Sequence, residues 1–426
     1  MYTDTGNQIL SKQAKAEQKI ISVLLAASVF CLPFFQDGSV VCWILLLIYV
    51  LFHGNYTSFY HRLKQHPFYI GMVLLYLFYL AGMLWTENYL LGWEDLLIKI
   101  PLLLFPFLFL TLPIERSSFT LVRKSLIFGC LLAVIYCFVK SFQHFLLNHD
   151  FQDFYYTTFS YLMHPTYFTM YINLSILFLM QLMLEDKFIS RSAKWMNGFL
   201  FFLFVIVAII LTARIAMLTT FFTLIVFTIF EVVQRKKMKL LWPRLAAGAI
   251  VILFLFFSLI KVYNRFSQIS DVIEKKEDKS ALVDTVNHVG YNSTTIRIGL
   301  LKNGIAILKD NFWLGVGTGD VIPESVNRLN NSGLHVLAEK STGAHNQYLQ
   351  TAVTLGIFAA LLLIVTLFIP IFQYFRSDEY FFFSFMLIVL FNGVGDTILR
   401  ASSLFFFSFF GCYFYAYFNI FNRKSR

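Results

Sequence analysis

The chain has 426 residues, of which 58% are hydrophobic, 19% aromatic and only 14% charged. Soluble domains carry about a quarter charged residues, so a soluble globular protein is excluded and a polytopic membrane protein is expected. The formal net charge of +10 does not indicate nucleic acid, because the Lys and Arg residues cluster in short loops between apolar runs, where they report topology.

The apolar runs are continuous rather than alternating, so helices rather than barrel strands are expected to cross the bilayer. In chain order, runs of spanning length lie at 20–36, 39–53, 67–85, 100–113, 125–142, 165–184, 197–212, 214–233, 245–262, 346–373, 380–395 and 401–420. The expected fold is all-α: one integral membrane domain over 1–426 with about 12 transmembrane helices. The polar, basic start before residue 20 resembles a signal peptide, but no small-residue cleavage site follows, so a retained first helix is expected. Five cysteines, Cys31, Cys42, Cys130, Cys137 and Cys412, fall inside apolar runs without framework spacing. No disulfide and no metal site is expected from them.

Loop charge alternates along the chain. Lys12, Lys15 and Lys19, then Arg62 and Lys64, then Arg116, Arg123 and Lys124, and later "QRKKMK" at 234–239, are separated by loops carrying Asp37, Glu87, Glu94, Asp95, Asp150 and Asp153. Positive-inside reasoning places both termini in the cytoplasm and puts Arg214, residues 263–345 and Asp396 on the opposite face.

Candidate polar residues gather on that opposite face. His164 in "HPTYF" opens the sixth run, with Pro165 pre-set for a first helical turn. Arg214 in "LTARIAMLTTF" opens the eighth run, with Thr212 as a possible cap. A cation opposes the helix dipole there unless an anion joins it, when free N–H groups and the guanidinium converge on one phosphate. Snorkelling to the interface is the competing account of Arg214.

The segment 263–345, between spans 9 and 10, is the one long extramembrane piece. Ile296, Leu300, Ile305 and Leu308 recur at roughly helical spacing, so a folded, partly amphipathic cap is expected. Arg297 lies within it and could complete a clamp on a diphosphate with Arg214; as an isolated residue it reads as an ordinary surface arginine. Lys302 and Lys309 are weaker candidates of the same kind. "GVGTGD" at 315–320 lacks the strand-turn-helix context of a nucleotide loop, and reads as a tight connection that allows positive φ and close approach.

"STGAHNQYLQTAVTLG", 341–356, opens the tenth run with His345, after Ser341 and Thr342 as possible caps. An imidazole at a helix N-terminus is kept neutral by the dipole, and a neutral ring suits a general base. An interface-anchoring histidine is the plainer account. Eleven residues make about three turns, so Gly356 is expected below His345 on one face, allowing a neighbour to approach closely. Asp396 and Arg400 in "GVGDTILRA" are expected to pair with each other.

"RIAML" at Arg214 to Leu218 and "HNQYLQTAVTLG" at His345 to Gly356 resemble the arginine-x3-leucine and histidine-x10-glycine motifs of the O-antigen ligase and Wzy-type polymerase superfamily. "RIGLLKNGIAILKDNFWLGVGTG" also resembles that family, with Arg297 at a second arginine position. The resemblance covers chiefly 200–375. It implies a GT-C-like membrane glycosyltransferase without metal or other cofactor, working on the periplasmic face of the bacterial inner membrane. Its donor would be an undecaprenyl-diphosphate-linked glycan, and its acceptor a hydroxyl of lipid A core or of another lipid-linked glycan. Arg214 and Arg297 would hold the diphosphate, with His164 and Asn346 as further substrate contacts. His345 would deprotonate or orient the hydroxyl, and Leu218 and Gly356 would pack helices. Contact with membrane lipids is implied, and no nucleic acid. A lipid-linked glycan transporter is the alternative from another class; it would place charges in mid-span at broken helices.

Overall fold

Continuous apolar sequence bounded by glycine, proline and charge produces helices almost everywhere in the computed structural model, which describes residues 2–54, 56, 59–184, 190–211, 214–235, 293–339, 343–374 and 380–422. Those residues contain no strand. The run at 245–262, residues 263–292, Thr212, Ser341, Thr342 and the side chain of Arg214 lie outside the described set.

Helix α1 (Tyr2–Cys31) packs on α2 (Gln36–His53) and on α7 (Arg116–Asn148). The short α3 (Phe59–Gln65) leads into α4 (Pro67–Gly82), and α5 (Tyr89–Lys99) into α6 (Pro101–Thr111). After α7 and the short α8 (Tyr156–Phe159) come α9 (Pro165–Leu184), α10 (Arg191–Ile210) and α11 (Arg214–Arg235). Three helices precede the last spans: α12 (Ser293–Asp310), α13 (Val321–Asn331) and α14 (His335–Glu339). The chain then runs through α15 (Gln347–Tyr374), α16 (Tyr380–Gly395) and α17 (Ala401–Asn422).

Among the described residues six helices, α2, α7, α9, α10, α15 and α17, are long and apolar enough to cross a membrane, and α4, α16 and the middle of α11 are shorter apolar helices. The protein is a multi-pass membrane protein. At 33 residues, α7 is about 50 Å long and exceeds the hydrocarbon core of about 30 Å. The expected span at 100–113 is shorter than the sequence implied: α6 has 11 residues and continues from α5. Ile100 keeps helical angles (φ −47°, ψ −35°), and Pro101, which has no N–H to donate, opens α6.

The core is largely aromatic. Trp43 of α2 stacks on Phe405 of α17 and meets Phe105 of α6 edge-on, while Phe109 and Phe409 pack across α6 and α17. In lipid such packing, rather than exclusion of water, holds helices together. Buried polar ties add to it, such as Thr220 of α11 donating to Asn173 Oδ1 of α9 at 2.7 Å and Tyr171 of α9 donating to Ser402 O of α17 at 2.9 Å.

α12, α13 and α14 form a small satellite unit. Leu300, Leu329, Leu337 and Ala338 are its apolar centre, and Ile307 and Val321 attach it to Val353 of α15. Of the four apolar positions expected to form its inner face, Ile296, Leu300 and Leu308 face inward, whereas Ile305 is 47% exposed and Ile307 is buried in its stead. The helix turns two faces inward, one toward α13–α14 and one toward α15, so a single stripe misplaced one residue.

The largest departure from expectation is in α15, which does not run straight from His345 past Gly356. Gly356 has φ 81° and ψ 178°, a conformation open essentially to glycine. A Cβ there would lie 1.9 Å from the Trp313 carbonyl oxygen. The break frees backbone groups, and the glycine-rich loop satisfies them: Val316 N–H donates to Val353 O (2.9 Å), Gly317 N–H to Thr354 O (3.0 Å), and Ile357 N–H to Phe312 O (3.1 Å). Buried backbone groups need such partners. The close neighbour of Gly356 is thus the protein's own loop 312–317, not another helix face.

Candidate functional site

The site forms where three segments dock on the turn between α16 and α17, residues 394–397. Asn346 caps α15, its Oδ1 accepting the N–H of Leu349 at 2.9 Å, the N-cap to N3 bond that short polar side chains make. Its Nδ2 donates to Val394 O at 2.9 Å. Both polar atoms of Asn346 bind backbone, so it positions the helix start. Gln350 reaches back, its Oε1 accepting the N–H of Ala344 at 2.8 Å.

His345 therefore precedes the helix instead of standing on it. Its φ is +48°, in the left-handed region where histidine is several-fold enriched. The alignment of His345 with Gly356 three turns below falls away for the same reason. What the backbone turn does is aim the ring at Asp396: His345 Nδ1 lies 3.5 Å from Asp396 Oδ1.

Asp396 is the hub. Its side chain is 5% exposed; Oδ1 also accepts the N–H of Thr397 at 2.9 Å. Oδ2 lies 3.7 Å from His164 Nδ1 and 3.9 Å from Arg297 Nη2. Arg297, near the start of α12, donates from Nη1 to Gly395 O at 2.9 Å. His164 stands one residue before α9, whose first turn is started by Pro165, and its carbonyl accepts the N–H groups of Tyr167 and Phe168. The structure thus brings together His345, Arg297, His164 and Asn346, residues spread over more than 180 positions.

Burial alone would raise the Asp396 carboxyl pKa, but the His345 hydrogen bond, the His164 ring, the Thr397 N–H and the Arg297 guanidinium outweigh it and hold it below the usual range. The carboxylate is ionised at neutral pH. For His164, burial is the largest influence and lowers its pKa; Arg297 and His345 push the same way, and Asp396 only partly opposes them. His164 is neutral at pH 7. The Nδ1 edge of His345 faces the Asp396 carboxylate, the arrangement by which a carboxylate orients an imidazole. Arg297 adds a fixed cation, which suits an anionic ligand. Among the described residues no cluster of His, Cys, Asp and Glu is spaced to hold a metal ion.

Two sequence expectations change here. Asp396 faces His345, His164 and Arg297 rather than serving as the partner of Arg400, and Arg400 lines a neighbouring cleft. Leu218 is 37% exposed, whereas Met217 is 1% exposed; the inward stripe of α11 passes through Met217, Thr220, Leu224 and Phe227, and Leu218 lies off it. Arg214 is the first residue of α11, and α11 packs on α9, which begins at the site, and on α16, which ends there.

Residues 199–364 match the family model described as O-antigen ligase. That segment is similar to the O-antigen ligase family. No protein in a search of curated proteins matches the chain. The O-antigen ligase match runs from α10 to the middle of α15 and contains Arg214, Arg297, His345 and Gly356. His164 and Asp396 lie outside it, one on each side, and only folding brings them to the residues of the matched segment. Asp396 was the residue that reading by motif undervalued; the available signal was a lone carboxylate in an otherwise apolar stretch, "VLFNGVGDTIL". "GVGTGD" belongs to the matched segment too, but its task is structural. Asp320 accepts the N–H groups of Glu87 (2.8 Å) and Asn88 (2.9 Å) at the start of α5, and Thr318 Oγ1 donates to Tyr79 O at 2.6 Å.

Proposed function

We propose that this protein is a membrane glycosyltransferase that moves a glycan from undecaprenyl diphosphate to an acceptor hydroxyl on the periplasmic face of the inner membrane. Both termini are cytoplasmic in this reading, about twelve spans cross the bilayer (the expected run at 245–262 included), and 263–345 forms a periplasmic cap. The observation that carries it is the sharing of one buried carboxylate, Asp396, between His345 and Arg297, within a chain that bears an O-antigen ligase match.

In the reaction, the acceptor oxygen attacks the anomeric carbon while the bond from that carbon to the diphosphate oxygen breaks. The acceptor proton passes to Nε2 of His345, and the bonding pair leaves with the lipid diphosphate. Asp396 stabilises the imidazolium so formed. Arg297, with Arg214 at the start of α11, meets the charge that grows on the diphosphate, the role that preorganised cations fill at a leaving group. Neutral His164 donates a hydrogen bond at the rim without adding a second full charge beside Arg297. These arginines supply the counter-charge, and the step calls for no metal.

A transporter reading finds no support in the broken helix α15, because the gap at Gly356 is filled by backbone of residues 312–317 and not by charged side chains. The deciding experiment is gel analysis of lipopolysaccharide from a deletion strain complemented with this chain. Free core that regains attached polymer on complementation supports transfer to lipid A core. Core that bears a single repeat unit without the gene, and polymer with it, assigns the chain as a polymerase. No change in either band pattern overturns the glycosyltransferase reading.

A further inference from the structure

Beside the His345–Asp396 pair lies an open cleft of about 140 Å³ that the proposed reaction has not yet used. Its walls come from α5, from the Thr318–Gly319 turn and the start of α13, from the first turns of α15, and from residues 397–400. Thr397 follows Asp396 directly and Gln347 stands two residues after His345, so the cleft and the cluster share their boundary.

The chemistry of the walls selects for a sugar ring. Glu94 offers a carboxylate that accepts from hydroxyls, and Gln350 and Arg400 offer N–H donors. Leu91, Ile98 and Ile322 provide apolar surface for the C–H face of a ring. Lys99 is bound to Asp95 at 2.5 Å and lies over the Tyr79 ring at 4.3 Å. Burial lowers the Lys99 pKa, Asp95 opposes that, and Arg400 lowers it further. The cleft is lined by two carboxylates, Glu94 and Asp95, and two cations, Lys99 and Arg400, so a diphosphate gains no net field there, unlike at Arg297.

The cleft is also built in advance. Asp320 secures the start of α5, and Gln347 Oε1 accepts the N–H of Leu399 at 2.8 Å while its Nε2 donates to Thr351 at 2.8 Å. Gln350, on the cleft wall, holds the backbone of Ala344 immediately before His345. A ligand in the cleft therefore lies against the residues that set the position of the base.

We propose that this cleft is the acceptor subsite, holding an uncharged sugar ring of the acceptor through Glu94 and Arg400 so that one of its hydroxyls reaches His345. This rests on the glycosyltransferase reading for the fate of the sugar, but its binding can be measured without turnover. The probe is delipidated core oligosaccharide, titrated into the full-length protein in detergent micelles and followed by saturation-transfer NMR. Glu94 and Arg400 are both exposed, so Glu94→Ala and Arg400→Leu leave the core untouched. Each variant is expected to weaken the oligosaccharide about tenfold, the loss of one hydrogen bond to a charged group. Binding of glycan-free undecaprenyl diphosphate is expected to stay at the wild-type level in both. Unchanged oligosaccharide affinity in both variants overturns the proposal, as does loss of undecaprenyl diphosphate binding in Glu94→Ala, which would assign the cleft to the donor. Oligosaccharide binding that depends on Glu94, together with no glycan transfer by wild type, supports the cleft and overturns the reaction proposed above.

Discussion

Two irregular loops meet the N-terminal half of α15, and they use the same kinds of residue for opposite ends. Loop 312–320 is rich in glycine and looks in sequence like a ligand cradle, yet its N–H groups are spent on Val353 and Thr354, and its Asp320 is spent on the start of α5. Loop 394–400 looks like a plain turn between two spans, yet its Asp396 gathers two histidines and an arginine. The difference lies in what reaches each carboxylate. Neutral N–H groups, two from backbone and one from the Asn88 amide, bind Asp320 and leave it nothing to do but hold; titratable and cationic side chains gather at Asp396 and make it part of a chemical unit. Glycines mark where backbone approaches backbone, and they say little about where a substrate sits.

Exchanging the two roles gives the sharpest tests. His345→Ala is expected to cost about 10²–10⁴-fold in transfer, the range for loss of a general base, with yield and melting temperature of the purified protein retained. Asp396→Asn is expected to lower transfer about 10²-fold or more while the protein still folds, since the amide keeps the volume but fixes the wrong His345 tautomer. Asp320→Asn is the matched control. It weakens three charge-assisted bonds, each worth about 1.5–3 kcal/mol when lost, and should lower the melting temperature in detergent while transfer at low temperature persists. Equal loss of transfer in both variants, measured at one temperature, would erase the distinction between the loops.

Gly356→Ala tests the structural loop from the other side. It incurs about 1–3 kcal/mol of backbone strain and places a methyl group against the Trp313 carbonyl, so low folded yield by size-exclusion chromatography is the expected outcome. Full yield with lost transfer would instead move Gly356 into the reaction.

Acidification probes the other loop more gently. The folded pKa of His164 lies below its ordinary 6.5, so on lowering the pH the unfolded chain binds its proton first and stability declines below that value. Thermal melts at pH 7.5 and 5.5 are expected to show this decline, and His164→Gln is expected to reduce it. The smallest effect belongs to Leu218→Ala: with its side chain exposed, stability should change by no more than about 0.5 kcal/mol, and a large loss of folded protein would restore the packing role read from the motif.

Much of this protein was legible as text. Continuous apolar runs determine helices because a bilayer offers no water to an open backbone, and eleven of the twelve expected runs coincide with described helices. Arg297 and His345 were recognisable because motif spacing survives in one dimension. Two kinds of information were not there to be read. The break at Gly356 depends on a loop some forty residues earlier in the chain that supplies replacement hydrogen bonds, and a periodic pattern carries no sign of such a partner. The ion cluster depends on His164, Arg297, His345 and Asp396 meeting at one turn, and a carboxylate pairs with whatever the fold brings within about 4 Å, where Coulomb attraction is strong. Sequence by itself determined the helical membrane architecture and named most of the charged groups. Tertiary structure alone decided which carboxylate they share, because helix packing sets distances that chain order does not contain.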